Sequence, residues 1–178
     1  MNTEESQETI EGTRVVTEET HENTEETQVH TEETPEPRKE PPVEREEEIR
    51  AAIQACQSVL DELGPRFTER VYRRAVEITL HEQGIAAQAG VGIAVWFHGQ
   101  IIGTFEADLV LPSHVILELK VGDRIDDWHE AQLLNYLRCT CAEIGYVVAF
   151  GTALRYKRFI LDNSRKRGVR GDGFVWRG

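Results

Sequence analysis

The sequence predicts an α/β or α+β domain in which helices pack against a sheet, and three observations predict it. Apolar residues recur at three- and four-residue steps in three segments, the spacing of amphipathic helices. Short runs rich in Val, Ile, Leu and Phe, bounded by Gly, Pro and Ser, read as strands. Their order along the chain is α-α-β-β-β-α-β-β, which calls for a sheet covered by helices.

The domain begins late. Residues 1–48 hold 17 Glu, no Asp and four basic residues (Arg14, Arg38, Lys39, Arg45), a net charge of −13 within a total of −12. The remaining 130 residues therefore carry about +1, and the acidic pI of 5.0 does not exclude a nucleic-acid partner. "TEETHEN", "TEETQVH" and "TEETPEP" begin at 17, 24 and 31. This seven-residue period has no apolar a and d positions, so it is not a coiled coil. Residues 1–45 are expected to be a disordered, acidic Thr/Glu-rich tail and linker, because they offer too little apolar surface to offset ordering entropy. The expected domain is 46–163, followed by a basic Arg/Gly-rich tail over 164–178. The amino terminus lacks the basic-then-apolar pattern of a signal peptide. No apolar run approaches the roughly 20 residues of a membrane span. Cys56, Cys139 and Cys141 have no disulfide-framework spacing, so reduced thiols and a cytoplasmic location are expected.

The first helix places Ile49, Ile53, Cys56, Leu60 and Leu63 on one face and stops at Gly64-Pro65. The second, "FTERVYRRAVEITLHEQG", carries Phe67, Val71, Tyr72, Ala75, Ile78 and Thr79 as its apolar set and closes at Gly84. "VGIAVWFHGQIIGTFEADLVL" reads as a hairpin turning near His98-Gly99. "VILELK" follows a Pro112-Ser113 turn. "DDWHEAQLLNYLRCT" is a helix capped near Asp126 or Asp127, with Trp128, Leu133, Leu134 and Leu137 apolar. "GYVVAFG" and "RYKRFIL" complete the sheet.

Charged residues stand where strand interiors are expected. In "VILELK", Val115, Leu117 and Leu119 share one face, and Ile116, Glu118 and Lys120 share the other. Asp108 lies within the preceding strand. Burying these groups is unfavourable unless they are paired or bind a metal. Two carboxylates on adjacent strands suit a hard cation such as Mg²⁺, which takes one or two carboxylates plus waters and phosphate oxygens. Lys120, about 6.6 Å along the strand from Glu118, could orient water or neutralise charge on a phosphate. The plain alternative is an edge strand whose Glu and Lys are solvated and guard against aggregation. Gln132 and Tyr136 are four apart on one helix face, with His129 nearby. They suit contact with a phosphate or base, or simply a polar rim. Glu69 alone reads as an ordinary helix-surface glutamate.

Taken together, Asp108, "ELK" at 118–120 and "AQLLNYL" at 131–137 resemble the PD-(D/E)xK nuclease superfamily, in the branch with a Gln-x-x-x-Tyr motif shared by helicase-linked repair exonucleases. More narrowly, "GPRFTERVYRRAV", "IIGTFEADLVL", "VILELKVGDRI", "HEAQLLNYL" and "GYVVAFG" resemble the bacterial GxxExxY proteins, over about residues 50–162. Arg66 stands at that motif's Gly position, while Glu69 and Tyr72 match. The resemblance implies a restriction-endonuclease-like α/β core, a mixed sheet with helices on both sides. It implies Asp108 and Glu118 as metal ligands, Glu69 as an additional acidic ligand or water-binding residue, and Lys120 as the catalytic lysine. Gln132 would act beside them, and Gln132 and Tyr136 would line the substrate or metal edge. The implied activity is Mg²⁺-dependent (or Mn²⁺-dependent) hydrolysis of DNA or RNA. The alternative is a non-catalytic nucleic-acid- or protein-binding module on the same fold. The sequence specifies no membrane partner and no oligomeric state.

Overall fold

The computed structural model describes residues 14–16, 43–167 and 169–175. One seven-stranded mixed sheet runs β1-β6-β5-β4-β3-β2-β7. Its strands are β1 (Arg14–Val16), β2 (Gln88–Phe97), β3 (Gln100–Val110), β4 (Ile116–Val121), β5 (Ile144–Phe150), β6 (Leu154–Ile160) and β7 (Phe174–Val175). Among the described strands only β4 and β5 pair in parallel, through the crossover helix α3 (Asp127–Cys139). Helices α1 (Val43–Leu63) and α2 (Glu69–Glu82) precede β2. The central order α-α-β-β-β-α-β-β is the one the sequence predicts, with a short strand added at each end.

Two apolar cores lie on opposite faces. α1 and α2 bury Ile49, Cys56, Leu60, Tyr72, Val76 and Leu80 against Leu117, Leu119, Val148 and Phe150. α3 buries Leu133, Leu134 and Leu137 against Ile116, Val147 and Phe159. The alternation read in "VILELK" is therefore real, and β4, near the middle of the sheet, is covered on both faces. That excludes the solvated edge strand.

Several expectations need correction. The inner face of α2 is Tyr72, Val76 and Leu80; Val71, Ile78 and Phe67 are exposed. The i, i+4, i+8 stripe carries the larger contact with the sheet and turns the other apolar residues outward. Trp128, on the first turn of α3, is exposed rather than core. Arg14–Val16, within the stretch expected to be a disordered tail, pairs antiparallel with β6 at the sheet edge. Two adjacent valines favour an extended backbone there. α1 begins at Val43, directly after Pro41-Pro42 in the sequence. The remainder of the expected acidic tail, 1–13 and 17–42, lies outside the described residues. The described part of the stretch read as a basic carboxyl-terminal tail (164–167 and 169–175) is tied to the domain. Lys166 Nζ donates to the carbonyls of Thr140 and Ala142, Cys141 N donates to Asp172 O at 2.8 Å, and β7 pairs with β2.

The α1–α2 turn sets the entry of α2. Tyr72, fully buried and stacked on Phe150 at 4.3 Å, donates its hydroxyl to Gly64 O at 2.7 Å. The same hydroxyl accepts from Phe67 N at 3.3 Å. Arg66 within this turn has φ +82, a conformation that glycine takes without strain. Arg66→Gly should therefore raise stability by about 0.5 kcal/mol, the left-handed strain relieved less the added chain entropy of glycine. Arg66→Val should lower it by about 1 kcal/mol or more, because a β-branched side chain tolerates positive φ poorly. Urea unfolding of the three proteins measures both, and a glycine variant less stable than wild type would contradict the assignment.

Candidate active site

The site forms where β3 and β4 part. Their pairing is limited to Leu109↔Leu117 and Val110↔Ile116. Beyond it, the Leu119 N–H donates at 2.8 Å to Asp108 Oδ2 instead of to a strand carbonyl. A buried N–H needs a partner, so the Asp108 carboxylate takes the place of a missing ladder bond. Asp108 is 5% exposed and Glu118 2%.

Cations and a third acid gather around this pair. Lys120 Nζ donates to Glu118 Oε1 at 2.7 Å and to Glu69 Oε2 at 3.5 Å. Glu69 reaches the site because it occupies the first turn of α2. Arg73, one turn further along, donates from Nη1 to Asp108 Oδ1 at 3.3 Å and to Glu106 Oε1 at 3.1 Å. From α3 comes Gln132, whose Nε2 donates to the Tyr136 hydroxyl at 2.6 Å. That hydroxyl donates to Glu106 O at 3.1 Å.

The electrostatics follow burial. Desolvation raises the Asp108 pKa to about 6; the Leu119 N–H opposes this, Glu69 adds to it, and Lys120 and Arg73 oppose it. Desolvation, reinforced by the Asp108 charge and opposed by Lys120, raises Glu118 to about 8. Burial alone would lower Lys120. Its hydrogen bond to Glu118 and the charges of Glu118, Glu69 and Asp108 outweigh that, so it stays above the ordinary lysine value. Its three acidic neighbours thus favour the ammonium form of Lys120. Tyr136 is pushed up to about 12, first by burial and then by the Glu118 charge.

The sequence-predicted residues therefore meet. Asp108, Glu118, Lys120 and Glu69 form one cluster, with the Tyr136 hydroxyl and its partner Gln132 on its α3 side. Two readings change. The Tyr136 ring is 2% exposed and packs 5.5 Å from Phe105, so it offers no face for stacking a base; only its hydroxyl reaches the site, as a brace for Gln132. His129 completes the capping box that Asp126 forms at the start of α3: its Nδ1 accepts from Asp126 N at 3.3 Å, while the His129 backbone N–H donates to Asp126 Oδ1 at 3.1 Å. Arg73 and Glu106 escaped the sequence reading. The signal was faint, an arginine one turn after Glu69 and a glutamate two before Asp108.

The donors fit a hard cation. Glu118 Oε2 is buried and has no hydrogen-bond partner, beside a second buried carboxylate, and oxygen is the ligand Mg²⁺ prefers. Among the described residues no group of three or more His, Cys, Asp or Glu is drawn together as a ready metal cage. Glu69 engages Lys120, so a direct Glu69–metal bond would require that contact to rearrange.

The sequence profile of the PD-(D/E)XK nuclease superfamily matches residues 46–159, and the chain belongs to that superfamily. A solved structure titled "Crystal structure of SSO0001" is 20% identical with a TM-score of 0.41, over 67% of this chain and 58% of that one. The chain thus spans rather more than half the length of that protein. No curated protein matches the chain. No helix among the described residues is long and apolar enough to cross a membrane.

The raised carboxylates give a testable pH dependence. A carboxyl group whose folded pKa exceeds its unfolded value stabilises the fold below the unfolded pKa, and that contribution is lost as pH rises through the folded pKa. For Glu118 the window runs from the model-peptide value of 4.5 to about 8; for Asp108 it runs from 3.8 to about 6. The melting temperature of the metal-free protein should fall as pH rises from 5 to 8. Glu118→Gln, which stays neutral, should flatten the slope. Parallel curves for the two proteins would show that Glu118 is not the titrating group.

Proposed function

We propose that this chain is a divalent-metal-dependent nuclease that hydrolyses phosphodiester bonds of DNA or RNA, with Mg²⁺ as its ion and Mn²⁺ as a substitute. The observation that carries this reading is the buried, unpartnered Glu118 Oε2 beside Asp108 within the superfamily's motif. Asp108 and Glu118 hold the ion, and Glu69 is the reserve carboxylate at its edge. When bound, the cation supplies a water of lowered pKa and polarises the phosphate. Lys120, kept protonated by three carboxylates, faces the charge that develops on the phosphate and stabilises it. Gln132, held by the Tyr136 hydroxyl, contacts substrate with the free part of its amide.

The finer assignment is to the GxxExxY proteins. Arg66 adopts a glycine-like φ at that motif's Gly position, Glu69 meets the lysine, and Tyr72 clamps the turn. Three free thiols suit the reducing, cytoplasmic setting that this reading implies.

Cleavage of a panel of single- and double-stranded DNA and RNA, with and without Mg²⁺, tests the proposal. Lys120→Ala should retain ion binding and lose turnover by roughly a hundredfold or more, and excess metal should not restore it. Glu118→Gln should also lose activity, but regain part of it at high Mg²⁺ or with Mn²⁺, because its defect is affinity for the ion. Gln132→Ala should raise KM more than it lowers kcat. Wild-type cleavage by Lys120→Ala would identify a contaminant and withdraw the catalytic reading in favour of a binding module.

A further inference from the structure

Arg73 stands between two unlike carboxylates. Its Nη1 lies 3.3 Å from Asp108 Oδ1 and 3.1 Å from Glu106 Oε1. The Asp108 side chain is 7% exposed and that of Glu106 49%. The backbone of β2 makes room for the pair. A Cβ on Gly90, whose φ is +65, would come within 3.2 Å of Glu106 Oε1 and 4.0 Å of Arg73 Nη1. Glycine at this point thus leaves the guanidinium and its outer acceptor undisturbed.

A buried carboxylate needs a compensating charge, and Arg73 supplies one to Asp108. A cation coordinated by Asp108 would supply the same charge to the same oxygens. The guanidinium and the cation then repel at close range. Arg73 already holds a second acceptor in Glu106, which is more exposed and outside the carboxylate–lysine motif. We propose that Arg73 is a positioning residue that occupies Asp108 in place of the cation and withdraws onto Glu106 when the cation binds, so that the Arg73–Glu106 pair sets the ion affinity of the site. This inference rests on the metal-dependent reading above.

The test is a double-mutant cycle in Mn²⁺ affinity, measured by calorimetry at one ionic strength, with crystals of the wild-type protein grown with Mn²⁺ alongside. Glu106→Gln removes the negative charge of the outer acceptor and shifts Arg73 toward Asp108, so it should weaken Mn²⁺ binding about fivefold, a coupling of ordinary size for groups sharing a partner. Arg73→Gln should tighten binding. In the Arg73→Gln background, Glu106→Gln should change affinity by no more than about twofold, because no guanidinium remains to redirect. In the Mn²⁺-bound crystal, Arg73 should have left Asp108 and kept Glu106. Additive effects around the cycle would show only long-range charge and overturn the proposal. So would an ion on Asp108 with Arg73 still bonded to it, and that crystallographic result decides the matter should Arg73→Gln fail to fold. A wild-type protein that takes up no Mn²⁺ would remove the metal-dependent reading itself, an outcome distinct from an ion bound with Arg73 unmoved.

Discussion

Glu118 is a carboxylate placed where the sheet has almost no water to solvate it, and the surrounding structure is arranged around that burden. Its strand lies between β3 and β5, with α1 and α2 over one face and α3 over the other. An isolated charge there would be strongly disfavoured. Four responses are visible. Lys120 bonds one oxygen, β3 parts from β4 so that Asp108 can stand beside it, Arg73 neutralises Asp108, and Glu69 supports the lysine. The second Glu118 oxygen is left over. A set of charges that served stability alone would have no reason to leave it so, since apolar residues of similar volume would pack the strand more stably.

The scaffold delivers these groups from separate elements. α2 brings Glu69 and Arg73, one turn apart, and its entry is fixed by the Tyr72 hydroxyl and the stack on Phe150. The splayed end of β3 brings Asp108, and the crossover α3 brings Gln132. Tyr136 ties α3 to the backbone of β3 at Glu106, so Gln132 is held to the strand that carries Asp108. Rigid elements, rather than loops, hold every member, which favours a fixed geometry for chemistry.

Much of this was legible in the sequence because the decisive signals are local. A period of two in "VILELK" states which residues share a face, and burial on both sides follows from the β-rich segments around it. The α1 stripe obeys its helical period in the same way. What was hidden is nonlocal or carried by backbone. Arg73 meets Asp108 across 35 positions, and no period reports such a pair. β1 and β7 are three and two residues long and are held by ladder hydrogen bonds that leave little trace in composition. α2 has apolar residues on more than one side, so spacing alone could not choose Val76 and Leu80 over Val71 and Ile78. Tyr136 looked like a surface for contact with a base because a helical wheel shows direction but not the ring of Phe105 packed against it.

The central claim is that the buried carboxylates exist to hold a cation. Titration of Mn²⁺ into the wild-type protein at pH 8, compared with Asp108→Asn, tests it most directly, since both acids ionise most readily there in exchange for the ion. The account predicts saturable binding of one ion site to the wild type and loss of that binding in Asp108→Asn, with the variant still folded by circular dichroism. Equal binding by the two proteins, or no binding by the wild type, would contradict it.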